Sequence, residues 1–229
     1  MKGWHGLTAL AAMCSILLAV DPILDYDYSA GTFECRGKMP PPHIHGETLM
    51  GGEKPGSILL DGRRNFMVVP NGRDLHLTNG GTLFAVVRLA ADKEHGMIFF
   101  KGNEYLLGCY RGNNLYFNMG VKPDENFGNA VYASGLPKGE WCAVAAVLRR
   151  NPSGTWTVLL YINGERKTSK TFMPEWENPP PSTADLTIGK GWGGVWFLKG
   201  DLAVARIYTS ALDDRQIAEL TRHFRPDSH

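Results

Sequence analysis

Gly139-Glu140-Trp141-Cys142-Ala143-Val144-Ala145-Ala146-Val147-Leu148-Arg149-Arg150-Asn151-Pro152-Ser153-Gly154-Thr155-Trp156-Thr157-Val158-Leu159-Leu160-Tyr161-Ile162-Asn163-Gly164-Glu165-Arg166-Lys167 is the stretch whose reading decides the fold. Trp141 to Leu148 is an apolar run rich in Val and Ala. Arg149 to Gly154 is polar and holds Pro and Gly, so a strand cannot continue through it. Thr155 to Ile162 is a second run of β-branched and aromatic residues. Asn163-Gly164 then supplies a two-residue turn in which both residues tolerate positive φ. The stretch reads as a long β-hairpin. Because its apolar runs are nearly continuous, both faces of these strands should be covered, which places the hairpin in the middle of a sheet.

Working outward, the rest of the chain has the same grain. Asp25-Tyr26-Asp27-Tyr28 alternates. Gly56 to Pro70 reads as strand, tight turn at Asp61-Gly62, strand. Leu83–Leu89 and Met97–Lys101 are buried strands, and Glu104–Arg111 with Leu115–Gly120 forms a hairpin across Gly112-Asn113-Asn114. Short strands follow at Ala130–Ala133 and Leu186–Gly189, and Gly200–Tyr208 is the last. Lys38 to Pro55, with Pro40-Pro41-Pro42, reads as loop. If extended, His43 and His45 would face one way, but no third metal ligand is near, and two solvated imidazoles is the favoured reading. Ser210 to Leu220 is the one helical pattern, with Ser210 or Asp213 as N-cap. About a dozen strands and one short C-terminal helix mean an all-β antiparallel sandwich or barrel. With 229 residues and 43% hydrophobic content, one such domain over 21–225 has enough apolar material for a core, and no linker divides it.

The first twenty residues differ. Lys2 and His5 precede an apolar run from Leu7 to Val20, of signal-peptide length and short for a membrane span. A secretory segment at 1–20 is expected, with a packed N-terminal element as the alternative. The chain's net charge is +1, with Lys and Arg scattered, which argues against nucleic acid as partner. Cys35, Cys109 and Cys142 have no C-x-x-C or zinc spacing, and small buried hydrophobes are the default for Cys109 and Cys142.

An ordered set of pieces resembles the laminin-G-like, concanavalin A-like lectin/glucanase superfamily. The pieces are Gly56-Ser57-Ile58-Leu59-Leu60-Asp61-Gly62 with Phe66-Met67-Val68-Val69-Pro70, similar to that superfamily's opening hairpin, then Thr82–Val87 and Gly139-Glu140-Trp141. Leu160-Tyr161-Ile162-Asn163-Gly164, Leu186-Thr187-Ile188-Gly189, and Gly200–Tyr208 with Ala211-Leu212 and Gln216-Ile217 complete the set. The resemblance implies a jelly-roll sandwich of two antiparallel sheets, common in secreted proteins and often attached to glycosidases and sialidases. It also implies a calcium ion as an optional cofactor at a sheet rim, for which Asp61 and Asp201, each beside a Gly, are candidates.

Glucanases of this superfamily carry carboxylates at alternate positions of one strand, because alternation sets them on one face. No strand carries two carboxylates on one face, and the runs from Leu83–Leu89 to Leu202–Tyr208 are read as holding no Asp or Glu, with the carboxylates at strand ends and in loops, so no catalytic residues are expected. No nucleophile elbow or phosphate-binding glycine motif is present. Sugars are held by aromatic platforms with polar groups at their edges. The hairpin 105–118 offers Tyr105, Tyr110, Arg111, Asn113, Tyr116 and Asn118. The loop 190–196 offers Lys190, Trp192 and Trp196, and the Pro-rich loop offers Trp176. Trp141, Trp156, Phe84 and Phe117 are assigned to the core. The expected function is a non-catalytic carbohydrate-binding module, secreted or at the cell surface, free-standing or accessory to a glycosidase or sialidase, with a glycan or glycoprotein as ligand. A protein-interaction sandwich and a glycoside hydrolase with unrecognised residues are the alternatives.

Overall fold

The computed structural model describes residues 20–28, 31–47, 49–50, 56–120, 130–172 and 182–224. The predicted leading segment, apart from Val20, and Trp176 lie outside the described residues. In chain order the strands are β1 (Leu24–Asp27), β2 (His43–His45), β3 (Leu49–Met50), β4 (Ile58–Asp61), β5 (Phe66–Val69), β6 (Gly80–Leu89), β7 (Gly96–Lys101) and β8 (Tyr105–Tyr110). They continue with β9 (Asn114–Met119), β10 (Val131–Ser134), β11 (Trp141–Arg150), β12 (Trp156–Ile162), β13 (Glu165–Phe172), β14 (Leu186–Ile188) and β15 (Lys199–Tyr208), and helix α1 (Asp214–His223) follows the last strand. One sheet runs β13-β12-β11-β6-β15-β4-β3, with β1 also paired to β15. The second runs β10-β9-β8-β7-β14-β5-β2. This is the expected two-sheet sandwich.

The quoted stretch forms the middle of the first sheet. β11 lies between β6 and β12, with Ala145 opposite Phe84 on one side and Tyr161 on the other. Its alternation explains why the run is apolar throughout. Cys142, Val144, Ala146 and Leu148 enter the core between the sheets. Ala143, Ala145 and Val147 point the other way, into a second cluster under α1. There Ile217 is 0% exposed and Leu212 3%. Asp213 caps the helix: its carboxylate accepts from the Gln216 N–H at 2.8 Å, and the Gln216 side chain in turn accepts from the Asp213 N–H. Trp156 and Phe117 are in the inter-sheet core as expected, and Phe84 is buried under the helix. Trp141 differs. At an outward position of β11 it is half-buried against the helix-side cluster rather than between the sheets.

Four expectations about strands are corrected. β4 and β5 do not pair with each other. β4 pairs with β15 and β3, and β5 with β14 and β2, so the Asp61-Gly62 corner carries the chain from one sheet to the other. The supposed loop 38–55 contributes the edge strands β2 and β3. β13 is an additional strand, almost wholly exposed along its length and therefore without apolar alternation. Strands also carry carboxylates. β15 starts early enough to include Asp201, and β1 sets Asp25 and Asp27 on its outward side while Leu24 and Tyr26 face the core.

Candidate functional site

The outer face of the second sheet carries an array of rings. Tyr132 on β10 sits opposite Tyr116 on β9, and Tyr116 sits opposite Gly108 on β8. Tyr110 lies one outward position further along β8. Tyr116 is 5.1 Å from Tyr132 and 5.2 Å from Tyr110, and the Tyr110–Tyr132 distance is 6.0 Å, with planes inclined by 21° to 38°. Three stacked rings in a column would put the outer two about twice as far apart as neighbours, so these rings form a triangular tile. A second triangle shares Tyr110: His95 is 4.8 Å from Tyr110 and 5.4 Å from Trp196, and Tyr110 is 5.5 Å from Trp196, with inclinations of 31°, 19° and 23°. Trp192 then stands at 89° to Trp196, 5.2 Å away, and meets Phe100 edge-on. The result is a gently tilted floor with a wall at one end.

Glycines let this array assemble. Gly108 lies between Tyr116 and Met97 across the strands, and a Cβ there would collide with the Gly96 carbonyl. The loop bearing Trp192 and Trp196 is fastened to β7, the Met97 N–H donating to the Trp196 carbonyl at 3.2 Å. A Cβ on Gly191 would come within 2.7 Å of Met97 Cγ, so the loop can lie this low only with glycine at that position.

Tyr110, Arg111, Tyr116, Asn118 and Trp192, all singled out in the sequence, therefore gather on one face, but they are not equivalent. Tyr132 is 42% exposed and Tyr110, Trp192 and Trp196 are half-buried, whereas Tyr116 and Asn118 are each 1% exposed. The last two are buried, so Tyr116 supports the tile without presenting a surface of its own. Asn118 Nδ2 donates to the Tyr116 hydroxyl at 3.0 Å, and Asn118 Oδ1 has no partner among the described residues. Burial pushes the Tyr116 phenol up to about 12, so it stays a neutral hydroxyl. Asn113 is exposed in the β8–β9 turn, to one side of the floor. Lys190 extends over Phe66, 4.4 Å from its ring centroid, on the part of the sheet where His45 stacks on Phe66 at 4.5 Å. His43 and His45 are thus on an exposed edge strand. Tyr105, offered by the same hairpin, is a core residue, with its hydroxyl donating to the Leu75 carbonyl at 3.0 Å. Sequence reasoning missed His95 and Tyr132 as part of the site. The signal for Tyr132 is its polar-tipped ring at the outward position between Val131 and Ala133.

The rim carboxylates have protein partners. Asp61 Oδ1 accepts from the N–H groups of Arg63, Arg64 and Asn65 at 2.9 to 3.0 Å, and these bonds outweigh its slight burial to hold the carboxyl below its usual range. Asp201 Oδ2 takes Nε and Nη2 of Arg88 at 2.9 and 2.7 Å. With a guanidinium beside each, this donor set does not suit calcium, which wants six or more oxygens. Asp25 and Asp27 of β1 face Arg206 and Arg36, at 2.6 and 3.3 Å. Among the described residues no group of three or more His, Cys, Asp or Glu is placed to hold a metal.

A polar recess of about 360 Å³ lies toward the other end of β8, lined by Arg73, Asp74, His76, Thr78, Asn79 and Thr209 among others. Beside it the Glu104 carboxylate receives His76 Nδ1–H at 2.8 Å, the Ser182 hydroxyl at 2.7 Å and the Lys101 ammonium at 3.1 Å. Lys101 is fully buried, so this cluster locks the β7–β8 turn to the segments at 71–76 and 182–185. His76 and Ser182 both bind Glu104 rather than each other, which is not the order of a nucleophile with its base.

Fold and site together define a jelly-roll sandwich with an open aromatic face. The chain belongs to the concanavalin A-like lectin/glucanases superfamily, whose laminin-G-type family model matches residues 61–218. No curated protein sequence matches the chain. Among solved structures it is similar to the binding domain of botulinum neurotoxin DC in complex with rat synaptotagmin II. There the TM-score is 0.70 at 13% identity, over 90% of this chain and 52% of that one. It is likewise similar to that domain in complex with SialylT (TM-score 0.68, 12% identity, 90% and 52%). Domain 4 of AbnA, an extracellular arabinanase from Geobacillus stearothermophilus in complex with arabinotriose, gives TM-score 0.63 at 20% identity, over 88% and 98%. The chain thus spans about half the length of the neurotoxin domains. No helix among the described residues is long and apolar enough to cross a membrane.

Proposed function

We propose that this domain is a non-catalytic carbohydrate-binding module whose ligand rests on the floor formed by Tyr132, Tyr110, His95 and Trp196 and abuts Trp192. The observation that carries this reading is the set of rings gathered around Tyr110, namely Tyr132, His95 and Trp196, each partly open to solvent on a sheet face. A pyranose or furanose presents a flat C–H face, which stacks on such rings, and hydroxyls, which need donors at the edge. The likeness to an arabinanase domain solved with arabinotriose supports the reading, as does likeness to a neurotoxin domain solved with SialylT. The module is secreted or displayed at a cell surface, as an accessory to an enzyme such as a glycosidase or sialidase or on its own. It is not itself an enzyme: among the described strands, the one with two outward carboxylates, β1, has both neutralised by arginine. Binding does not depend on calcium, since neither Asp61 nor Asp201 is free of a guanidinium neighbour.

A glycan array followed by calorimetric titration tests this. Trp196→Ala weakens the best glycan about tenfold or more with an unchanged fold, and EDTA leaves the titration as it was. A correctly folded chain that binds no glycan while retaining a protein partner in pull-down establishes the interaction-module alternative instead.

A further inference from the structure

Two hairpin connections of this chain, one of two residues and one of three, each begin with two consecutive positive φ values and differ in the residue placed first. Between β12 and β13 the connection is Asn163-Gly164, with φ 52° and 81°. Between β8 and β9 the corresponding pair is Arg111-Gly112, with φ 47° and 80°. Asn is among the few non-glycine residues that adopt left-handed φ readily, and its side chain here also accepts from the Ala143 N–H at 3.0 Å. Arg has no such advantage. These two are the only non-glycine residues with positive φ among those described. Backbone strain of this kind persists where the surroundings impose it, and it concentrates at ligand sites.

The surroundings do impose it. The Arg111 N–H donates to His95 Nδ1 at 3.1 Å, which fixes the imidazole proton on Nε2 and ties the turn to the floor. The guanidinium is thereby set 5.1 Å from the Tyr110 ring centroid, over the floor itself. Some arginines of the sandwich are paired with carboxylates, as Arg88 is with Asp201 and Arg206 with Asp25. Arg111 has none among the described residues. Glu94, whose carbonyl accepts from the Gly112 N–H, turns its carboxylate toward His95 Nε2 at 3.9 Å instead. A strained backbone therefore holds an exposed fork of N–H donors, without a carboxylate among the described residues, over the Tyr110 end of a ring platform.

We infer that Arg111 reads an anionic group, a carboxylate or a sulfate, on a sugar stacked on the rings beside Tyr110, so that the ligand is an acidic glycan. This rests on the carbohydrate-binding reading and specifies it. A planar guanidinium matches a carboxylate or sulfate with two parallel bonds, which a neutral hydroxyl cannot reciprocate.

Titration of the full chain with lactose, 3′-sialyllactose, 3′-sulfolactose, arabinotriose and trigalacturonic acid tests it. Expected is a preference of about tenfold or more for an acidic probe over its neutral counterpart, the fold-change of a charge-assisted bidentate pair. That preference should shrink as salt rises. Comparing the sialylated with the sulfated lactose separates carboxylate from sulfate. Arg111→Asn should abolish the preference and leave neutral-sugar affinity within about twofold. Because Asn relieves the turn, the same variant should melt no lower than the parent, so lost binding cannot be put down to unfolding. Equal affinity for acidic and neutral probes, or a preference that survives Arg111→Asn, overturns the inference and leaves the carbohydrate reading standing. A chain that binds none of the five probes overturns both.

Discussion

The two outer faces of this sandwich are both rich in apolar side chains, yet among the described residues only one of them is covered by a helix. Behind the first sheet, Phe84, Ala145, Val147 and Leu159 lie under α1, and Ile217 of the helix is fully excluded from water. Behind the second sheet, Tyr110, Tyr132, Trp192 and Trp196 keep part of their surface exposed. The difference lies in side-chain type. The covered face is built mostly of aliphatics and Phe84, whose favourable partner is another apolar surface, and its tyrosines Tyr161 and Tyr208 are buried with them, the Tyr161 hydroxyl donating to Asp214 of the helix. The open face is built of rings with polar edges, which tolerate water and offer both a flat contact and a hydrogen-bonding rim. Stability should therefore reside in the first face and binding in the second.

The largest expected effect tests the covered face. Phe84→Ala removes a fully buried ring beneath the helix and should destabilise the domain by about 3–5 kcal/mol in urea titration. A loss below about 1 kcal/mol would mean that the helix does not seal this face in solution. Glycan binding at temperatures where the variant is folded should be unchanged.

Next in size is the ionic lock at the far end of β8. Glu104→Gln leaves the fully buried Lys101 ammonium without its carboxylate, and should cost about 3 kcal/mol. Burial by itself would raise the Glu104 carboxyl, but bonds from His76, Ser182 and Lys101 outweigh it and hold it below the usual carboxylate range. A folded-state value below the unfolded one means this stabilisation is complete above the ordinary carboxylate range. It is lost as pH falls through the lowered value. Wild type should therefore lose stability on acidification more steeply than the variant, and parallel pH–stability curves would show that the lock contributes little.

Much of the covered face is legible in the sequence and less of the open one. The Trp141–Ile162 hairpin betrays itself because both faces of β11 are buried, so the whole run is apolar. β13 is invisible by the same logic, since an edge strand that is exposed along its length has no apolar pattern to read. The Asp61-Gly62 corner reads as a hairpin turn because the local signature is the same. Only the distant partners, β15 for β4 and β14 for β5, separate a hairpin from a crossing between sheets. In the site, Tyr110 and Trp192 can be named because they stand among Gly, Asn and Arg. His95 and Tyr132 cannot. They lie 16 and 22 residues from Arg111 and Tyr110 and join them only through the registers of β7, β8, β9 and β10. Tyr116 and Asn118 read as ligand contacts, because alternation alone does not show that both are buried.

The smallest effect on stability is the sharpest test of the contrast between the faces. Tyr132 is the most exposed ring of the floor, and its neighbours Tyr116 and Tyr110 support one another at 5.2 Å without it. Its removal opens no cavity, because water already reaches one side. Tyr132→Ala should then change unfolding free energy by less than about 1 kcal/mol, as expected for a surface substitution that takes one ring away from its aromatic neighbours. The same substitution takes away one corner of the tile on which a sugar would lie, and it uncovers Tyr116 in a position too low to replace it. Affinity for the best glycan should fall several-fold while the melting curve stays in place. Were the order reversed, with a large stability loss and binding intact, the rings would be a roof over the second sheet, serving it as α1 serves the first, and the open face would be no platform.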